Sequence, residues 1–193
     1  MRAVLTRVKY ASVTIDGEVT GKIGPGFLIL LGVGPEDTEE CARVLAEKAL
    51  SLRVFEDENG KMNLGLDAVQ GQVLVVSQFT LYGNCRKGRR PSFTEAAPPE
   101  LGNRLYEEFL SQCARLGYPP QHGQFGADMK VESLNDGPIT LILDTDQLMN
   151  TPRRGYGGLY AANSHPPPGR LSNQLLHPPS GGKPGLRGHR PGL

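Results

Sequence analysis

The chain has 193 residues, 38% hydrophobic and 21% charged, with a formal net charge of +1. That composition belongs to soluble globular proteins and leaves room for one well-filled domain, or two small ones at most. No stretch nears the roughly 18 to 20 apolar residues of a membrane span, and Met1 to Arg7 meets a second charge before any signal-like apolar run, so neither a membrane segment nor a leader is expected.

The averages hide a division. Residues 146 to 193 hold 9 Gly and 8 Pro and lack Phe, Ile and Val. Ordering such a segment costs about 1 to 2 kcal/mol per residue in backbone entropy with little apolar return, so a disordered tail is expected after a domain spanning 1 to 145. Charge divides at the same place. The first 145 residues carry 15 Lys/Arg and 19 Asp/Glu, a net of −4, and the tail a net of +5. An acidic body excludes wholesale electrostatic capture of nucleic acid while leaving room for a local basic patch. Cys41, Cys85 and Cys113 form no CxxC pair and leave one over, which points to a reducing, cytoplasmic setting.

In chain order, Val4 to Val8 and Ala11 to Ile15 read as short strands, and Asp16-Gly17 turns the chain into a returning strand, Glu18 to Lys22. After Gly24-Pro25-Gly26, the continuous apolar run Phe27 to Val33 predicts a central strand buried on both faces. Pro35 to Glu40 opens a helix with Asp37 as N-cap and Glu40 at N3, followed by Ala42, Leu45, Ala46, Ala49 and Leu52 on one side. Gly60 marks a polar turn. Val73 to Leu81 predicts a second buried strand whose apolar run passes into hydroxyl and amide residues. Pro98-Pro99 introduces a second helix ending near Gly117. Strands over Asp128 to Leu134 and Ile139 to Leu143 close the domain, separated by Asn135-Asp136-Gly137-Pro138. The fold class is α+β: antiparallel strands curled into a barrel-like core with two flanking helices.

Absent motifs narrow the chemistry. The body has one histidine, His122, and no HExxH or Cys/His cluster, so a protein-built metal site is not expected. GxGxxG, GxxxxGK[ST] and GxSxG are missing, so no cofactor is expected. Ser77-Gln78-Phe79-Thr80 has two readings: a strand end where small polar residues leave the core, or converging side-chain and backbone donors facing an anionic transition state. Thr80 lacks an evident base that would make it a nucleophile. Arg86, Lys87, Arg89 and Arg90 are either a solvated loop or a phosphate holder. Gly137-Pro138 taken alone is a turn, and Phe125 and Met129 read as core or rim residues.

Two of these segments together, Ser77-Gln78-Phe79-Thr80-Leu81 and Asn135-Asp136-Gly137-Pro138-Ile139-Thr140, closely resemble the D-aminoacyl-tRNA deacylase family, formerly called D-tyrosyl-tRNA deacylase. Further matching stretches are Arg7-Val8 with Ala11-Ser12-Val13, Gly60 to Leu64, Arg90 to Phe93 and Phe125 to Met129. The resemblance spans residues 1 to about 145. It implies a homodimer that hydrolyses the ester joining a D-amino acid, or glycine, to the terminal adenosine of tRNA, with active sites at the subunit interface. It further implies that Gly137-Pro138 is a cis pair reaching into the partner's site to reject L-aminoacyl groups. Ser77, Gln78, Phe79 and Thr80 would line the ester pocket, with the Phe79 N–H and Gln78 as donors and Thr80 as a positioning residue. Arg7 would brace the cross-subunit loop, and Phe125 and Met129 would border the adenosine. The intact first motif favours the D-specific type over the relaxed animal type.

The 48-residue extension departs from the bacterial pattern of this family. Its dispersed cations and its Pro166-Pro167-Pro168 and Pro178-Pro179 runs leave open contact with nucleic acid or protein. The competing function is therefore a homodimeric binding module acting through that tail.

Overall fold

The computed structural model describes residues 1–149, so the expected tail from residue 150 onward lies outside the described residues. Eight strands and two long helices build the described part. They are β1 (Arg2–Ile15), β2 (Glu18–Ile23), β3 (Gly26–Gly32), α1 (Glu39–Leu50), β4 (Phe55–Glu56), β5 (Met62–Leu64), β6 (Gln72–Ser77), α2 (Pro99–Arg115), β7 (Gln121–His122) and β8 (Met129–Asp144). A 3₁₀ turn, Phe79–Tyr82, follows β6, and a single-turn helix α3 (Thr145–Leu148) follows β8.

β1 organises the main sheet. One of its edges pairs with β3 through Arg2 to Val8 and then with β2 through Ala11 to Ile15, while β8 runs antiparallel along the other edge. β3 continues into β6 and then β7, and both of these pairings are parallel. The α+β class, the curled sheet and the two flanking helices agree with the sequence reading, but the sheet is mixed rather than purely antiparallel. The curl brings β2 over β6 and β7, so a Cβ on Gly21 would stand 3.0 Å from the His122 carbonyl oxygen and 3.1 Å from Leu74.

The apolar run of β3 has the burial its composition demands. Alternate side chains leave a strand on opposite faces. Phe27, Ile29 and Leu31 enter a large core with Leu45, Leu105 and Phe109, whereas Leu28 enters a smaller core inside the curl with Val8, Val13 and Ile23. β6 divides in the same way, Val73 and Val75 to one side, Leu74 and Val76 to the other. Each such side chain contributes about 1.5–3 kcal/mol when fully buried. The β3–β6 joint admits no side chain at its start: Gly26 has φ +154°, and a Cβ there would lie 1.9 Å from the Gln72 carbonyl oxygen.

Four local expectations need correction. The two opening strands are one continuous β1, and the two closing strands are one β8 in which Asn135 to Pro138 forms a bulge, not a reversal. β6 ends at Ser77, short of Leu81, because the chain turns into the 3₁₀ segment there. Thr38, not Asp37, caps α1, its hydroxyl accepting from the Cys41 N–H at 3.4 Å. Asp37 is instead buried, accepting from the Met1 α-ammonium and, at 2.6 Å, from the Gly34 N–H. Leu148 and Met149, just after β8, pack against the large core.

Candidate active site

The Ser77–Thr80 segment is placed by the strand before it. Ser77 is the last paired residue of β6, opposite Leu31, and the Gln78 N–H donates to the Leu31 carbonyl at 2.7 Å. Gln78 then departs from strand geometry, with φ −143° and ψ +77°, and the 3₁₀ turn begins. A helical turn leaves its first N–H groups without internal acceptors. Leu81 and Gly83 donate back to Gln78 and Thr80, while the Phe79 and Thr80 N–H groups have no acceptor among the described residues. The Gln78 side-chain amide donates to the Thr80 hydroxyl. Thr80 is thereby tied to an amide and not to a base. Phe79 is 57% exposed, and its ring meets Phe93 edge to face at 5.2 Å.

Several anchors hold this turn. The buried Tyr82 at its end donates to Asp37 at 3.3 Å and lies 4.5 Å beneath the Arg2 guanidinium. Arg2 in turn pairs with Asp144 at 2.9 Å and donates to the Leu81 carbonyl at 3.3 Å. Strand β6 is fixed from the helix side by Tyr106, whose hydroxyl donates to the Val75 carbonyl at 3.0 Å. Burial raises the pKa of Tyr106, and it pushes the Cys113 thiol on the same helix up to about 12. Sequence reasoning missed Arg2, Asp37 and Tyr82 as site supports because their partners lie 45 to 142 residues away.

Gly137 and Pro138 sit in the β8 bulge, between the Thr6–Thr140 and Val8–Asn135 pairings, opposite Arg7. Arg7 is 4% exposed. Its Nε donates to the Asp136 carbonyl at 2.9 Å and stands 3.5 Å from the Asp136 carboxylate, and Nη1 donates to the Val54 carbonyl. Gly137 has φ +114°, and a Cβ there would lie 2.2 Å from the Arg7 guanidinium, so glycine is required twice over. The expected cis bond is corrected: no peptide bond among the described residues is cis, and Gly137–Pro138 is trans. The positive φ of Gly137 accommodates the extra residues of the bulge instead. Gly137 and Pro138 both face solvent in the single chain.

The remaining candidates lie around β7, which pairs with β6 two positions before Ser77. Phe125 packs on Tyr106 and over Gly102, at the edge of the large core. Met129, opposite Ile15, belongs with the smaller core, its sulfur crowding Gly123. Phe125 and Met129 are thus each held in place by packing against a core. Nor does any group of three or more His, Cys, Asp or Glu among the described residues assemble as a metal site would.

Strand β6 of the curled α+β sheet thus delivers amide donors to the surface. Residues 4–144 match the model of the D-Tyr-tRNA(Tyr) deacylase family. The D-aminoacyl-tRNA deacylase of Thermosipho africanus is 54% identical over 148 residues, which is 77% of this chain and 99% of that protein. That of Desulfatibacillum aliphaticivorans is 58% identical over 145 residues, 75% and 99% respectively. The solved structure of a c-Myc DNA unwinding element binding protein is 44% identical, with a TM-score of 0.69 over 75% of this chain and 98% of the other. A probable eukaryotic D-amino acid tRNA deacylase, 17% identical with a TM-score of 0.66 over 74% and 98%, shares the fold. The chain belongs to the D-aminoacyl-tRNA deacylase family. It is a hydrolase of the ester bond in D-aminoacyl-tRNA.

Proposed function

We propose that ester hydrolysis takes place where β6 opens into the 3₁₀ turn, on the terminal adenosine of a D-aminoacyl- or glycyl-tRNA. The observation that carries this reading is the pair of N–H groups at Phe79 and Thr80 without an internal acceptor, beside the Gln78 amide. Donors fixed in advance stabilise the oxyanion without reorganising during the reaction, and losing one typically costs about 3–4 kcal/mol. The Phe79 N–H and Gln78 serve as donors, Ser77 lines the pocket, and Thr80 positions Gln78. Phe125 and Met129 border the adenosine.

Rejection of L-aminoacyl groups comes from the Gly137–Pro138 bulge of a second copy, which leaves no room for the wrong side-chain direction. Homodimerisation is supported by β8, which among the described residues pairs with β1 alone. It exposes Val131, Leu134 and Ile142, the last at 75%. A long strand with a free edge and an apolar surface invites pairing with another chain. The three free cysteines support a cytoplasmic setting.

The test is a deacylation assay on D-, L- and glycyl-tRNA with the full chain and its Pro138→Ala variant. D-aminoacyl and glycyl groups are released while L-aminoacyl tRNA survives, and the variant narrows the D/L ratio. An unchanged ratio in the variant refutes the role of the bulge. A second reading, DNA binding through the basic residues 146–193, draws on the name of the 44%-identical structure. Deleting that segment would then abolish DNA binding and spare deacylation.

A further inference from the structure

We infer that the loop from Asn84 to Ser92, with the Phe79–Phe93 pair at its base, docks the single-stranded 3′ end of the tRNA; this rests on the reading of the neighbouring turn given above. The loop is pinched at its base, where Asn84 and Ser92 exchange backbone hydrogen bonds of 2.7 and 3.0 Å. The Asn84 side chain makes the stem stiffer, donating to Glu95 at 2.9 Å and accepting from the Arg86 N–H at 3.0 Å. Between these ends stand Arg86, Lys87, Arg89 and Arg90, all exposed and without an acidic partner among the described residues. Elsewhere Arg43, Arg104, Arg115 and Lys130 each pair with a carboxylate.

Four adjacent, unneutralised cations are costly on their own and favour a polyanion. The second observation is aromatic. Phe79 and Phe93 stay 57% and 39% exposed although they touch, their planes crossing at 73°. Such a pair offers an apolar face on which an unpaired base stacks, beside cations that follow the backbone, which is the combination single-stranded nucleic acid requires. An acidic protein would satisfy the charges and leave the rings wet. Phe79 directly follows Gln78, so a strand held here has its terminal ester at the donors.

The decisive variant carries Arg86→Gln, Lys87→Gln, Arg89→Gln and Arg90→Gln. Its kcat/KM on D-aminoacyl-tRNA falls at least about tenfold near physiological salt. The salt dependence flattens by about 0.7 log units per log unit of salt for each phosphate no longer neutralised. Hydrolysis of a D-aminoacyl-adenosine, which has no phosphates, stays at the level of the unaltered protein. Equal activity and equal salt dependence on tRNA overturn the inference, and so does an equal loss on both substrates. Binding of a short single-stranded RNA ending in CCA, followed by fluorescence anisotropy, judges the docking surface even if neither protein hydrolyses either substrate. The variant binds at least about tenfold more weakly and Phe93→Ala about tenfold more weakly, whereas undiminished affinity in both refutes the surface.

Discussion

The two halves of the site are secured in opposite ways. The Ser77–Thr80 turn ends a strand buried on both faces and is tied down at Leu31, Asp37, Arg2 and, through β6, Tyr106. The Gly137–Pro138 bulge is solvent-facing surface held by the buried Arg7 guanidinium and, from outside, by the exposed Lys9 ammonium 3.1 Å from the Asp136 carboxylate. The proposed reacting end has several supports, so the loss of any one of them is expected to be tolerated. On the proposed reading the selecting end depends on one buried side chain, which makes chiral selection the more fragile property.

The largest expected effect breaks the weaker side. Arg7→Ala strips the Asp136 and Val54 carbonyls of a buried donor and leaves the Asp136 carboxylate to Lys9, and losing charge-assisted hydrogen bonds of this kind costs about 3 kcal/mol. Urea denaturation registers that loss, and D/L discrimination falls with it. Arg7→Lys does not restore either, because one ammonium cannot span the positions reached by a planar fork. A denaturation midpoint equal to that of the unaltered chain contradicts the account.

Removing one of the several ties on the other side has a smaller effect. Tyr82→Phe deletes the hydroxyl bond to Asp37, about 1 kcal/mol by the same denaturation measurement, and leaves D/L discrimination unchanged. A shifted ratio would mean that the two halves are coupled.

The smallest effect concerns pH. Burial pushes the Cys113 thiol up to about 12 from its ordinary 9.0, and raises Tyr106 as well. Folding therefore favours the neutral thiol. Its contribution is fully present below pH 9 and is lost as pH rises toward about 12, with Tyr106 acting in the same direction above its ordinary 10.0. Tm measured from pH 8 to 11 declines above 9; a rise in Tm across that range contradicts the assignment.

Which parts were legible in the sequence follows from the range of the forces involved. The continuous run Phe27 to Leu31 announced a doubly buried strand because burial on two faces leaves no polar positions. Pro98-Pro99 announced α2 through a local backbone constraint, and the helix starts at Pro99. The polar exit after Val76 was visible for the same local reason. Asn135 to Pro138 read as a turn because its residues are those of turns, yet Arg7, 129 residues away, holds it as a bulge within one strand. Asp37 has the chemistry of a cap, but the buried ammonium of Met1 claims it, and Thr38 takes the cap one residue later. The parallel β3–β6 pairing and two-residue strands such as β7 leave no periodic trace to read.

The pairing of β1 with β8 bears on how the protein emerges from the ribosome. Arg2 meets Asp144 and Ile15 meets Met129, so one whole edge of the first strand waits for the last. At about 5–20 residues per second, that wait is on the order of ten seconds. During that interval the nascent chain presents an unsatisfied hydrogen-bonding edge, a natural client for a chaperone and a point where slow synthesis favours misassembly.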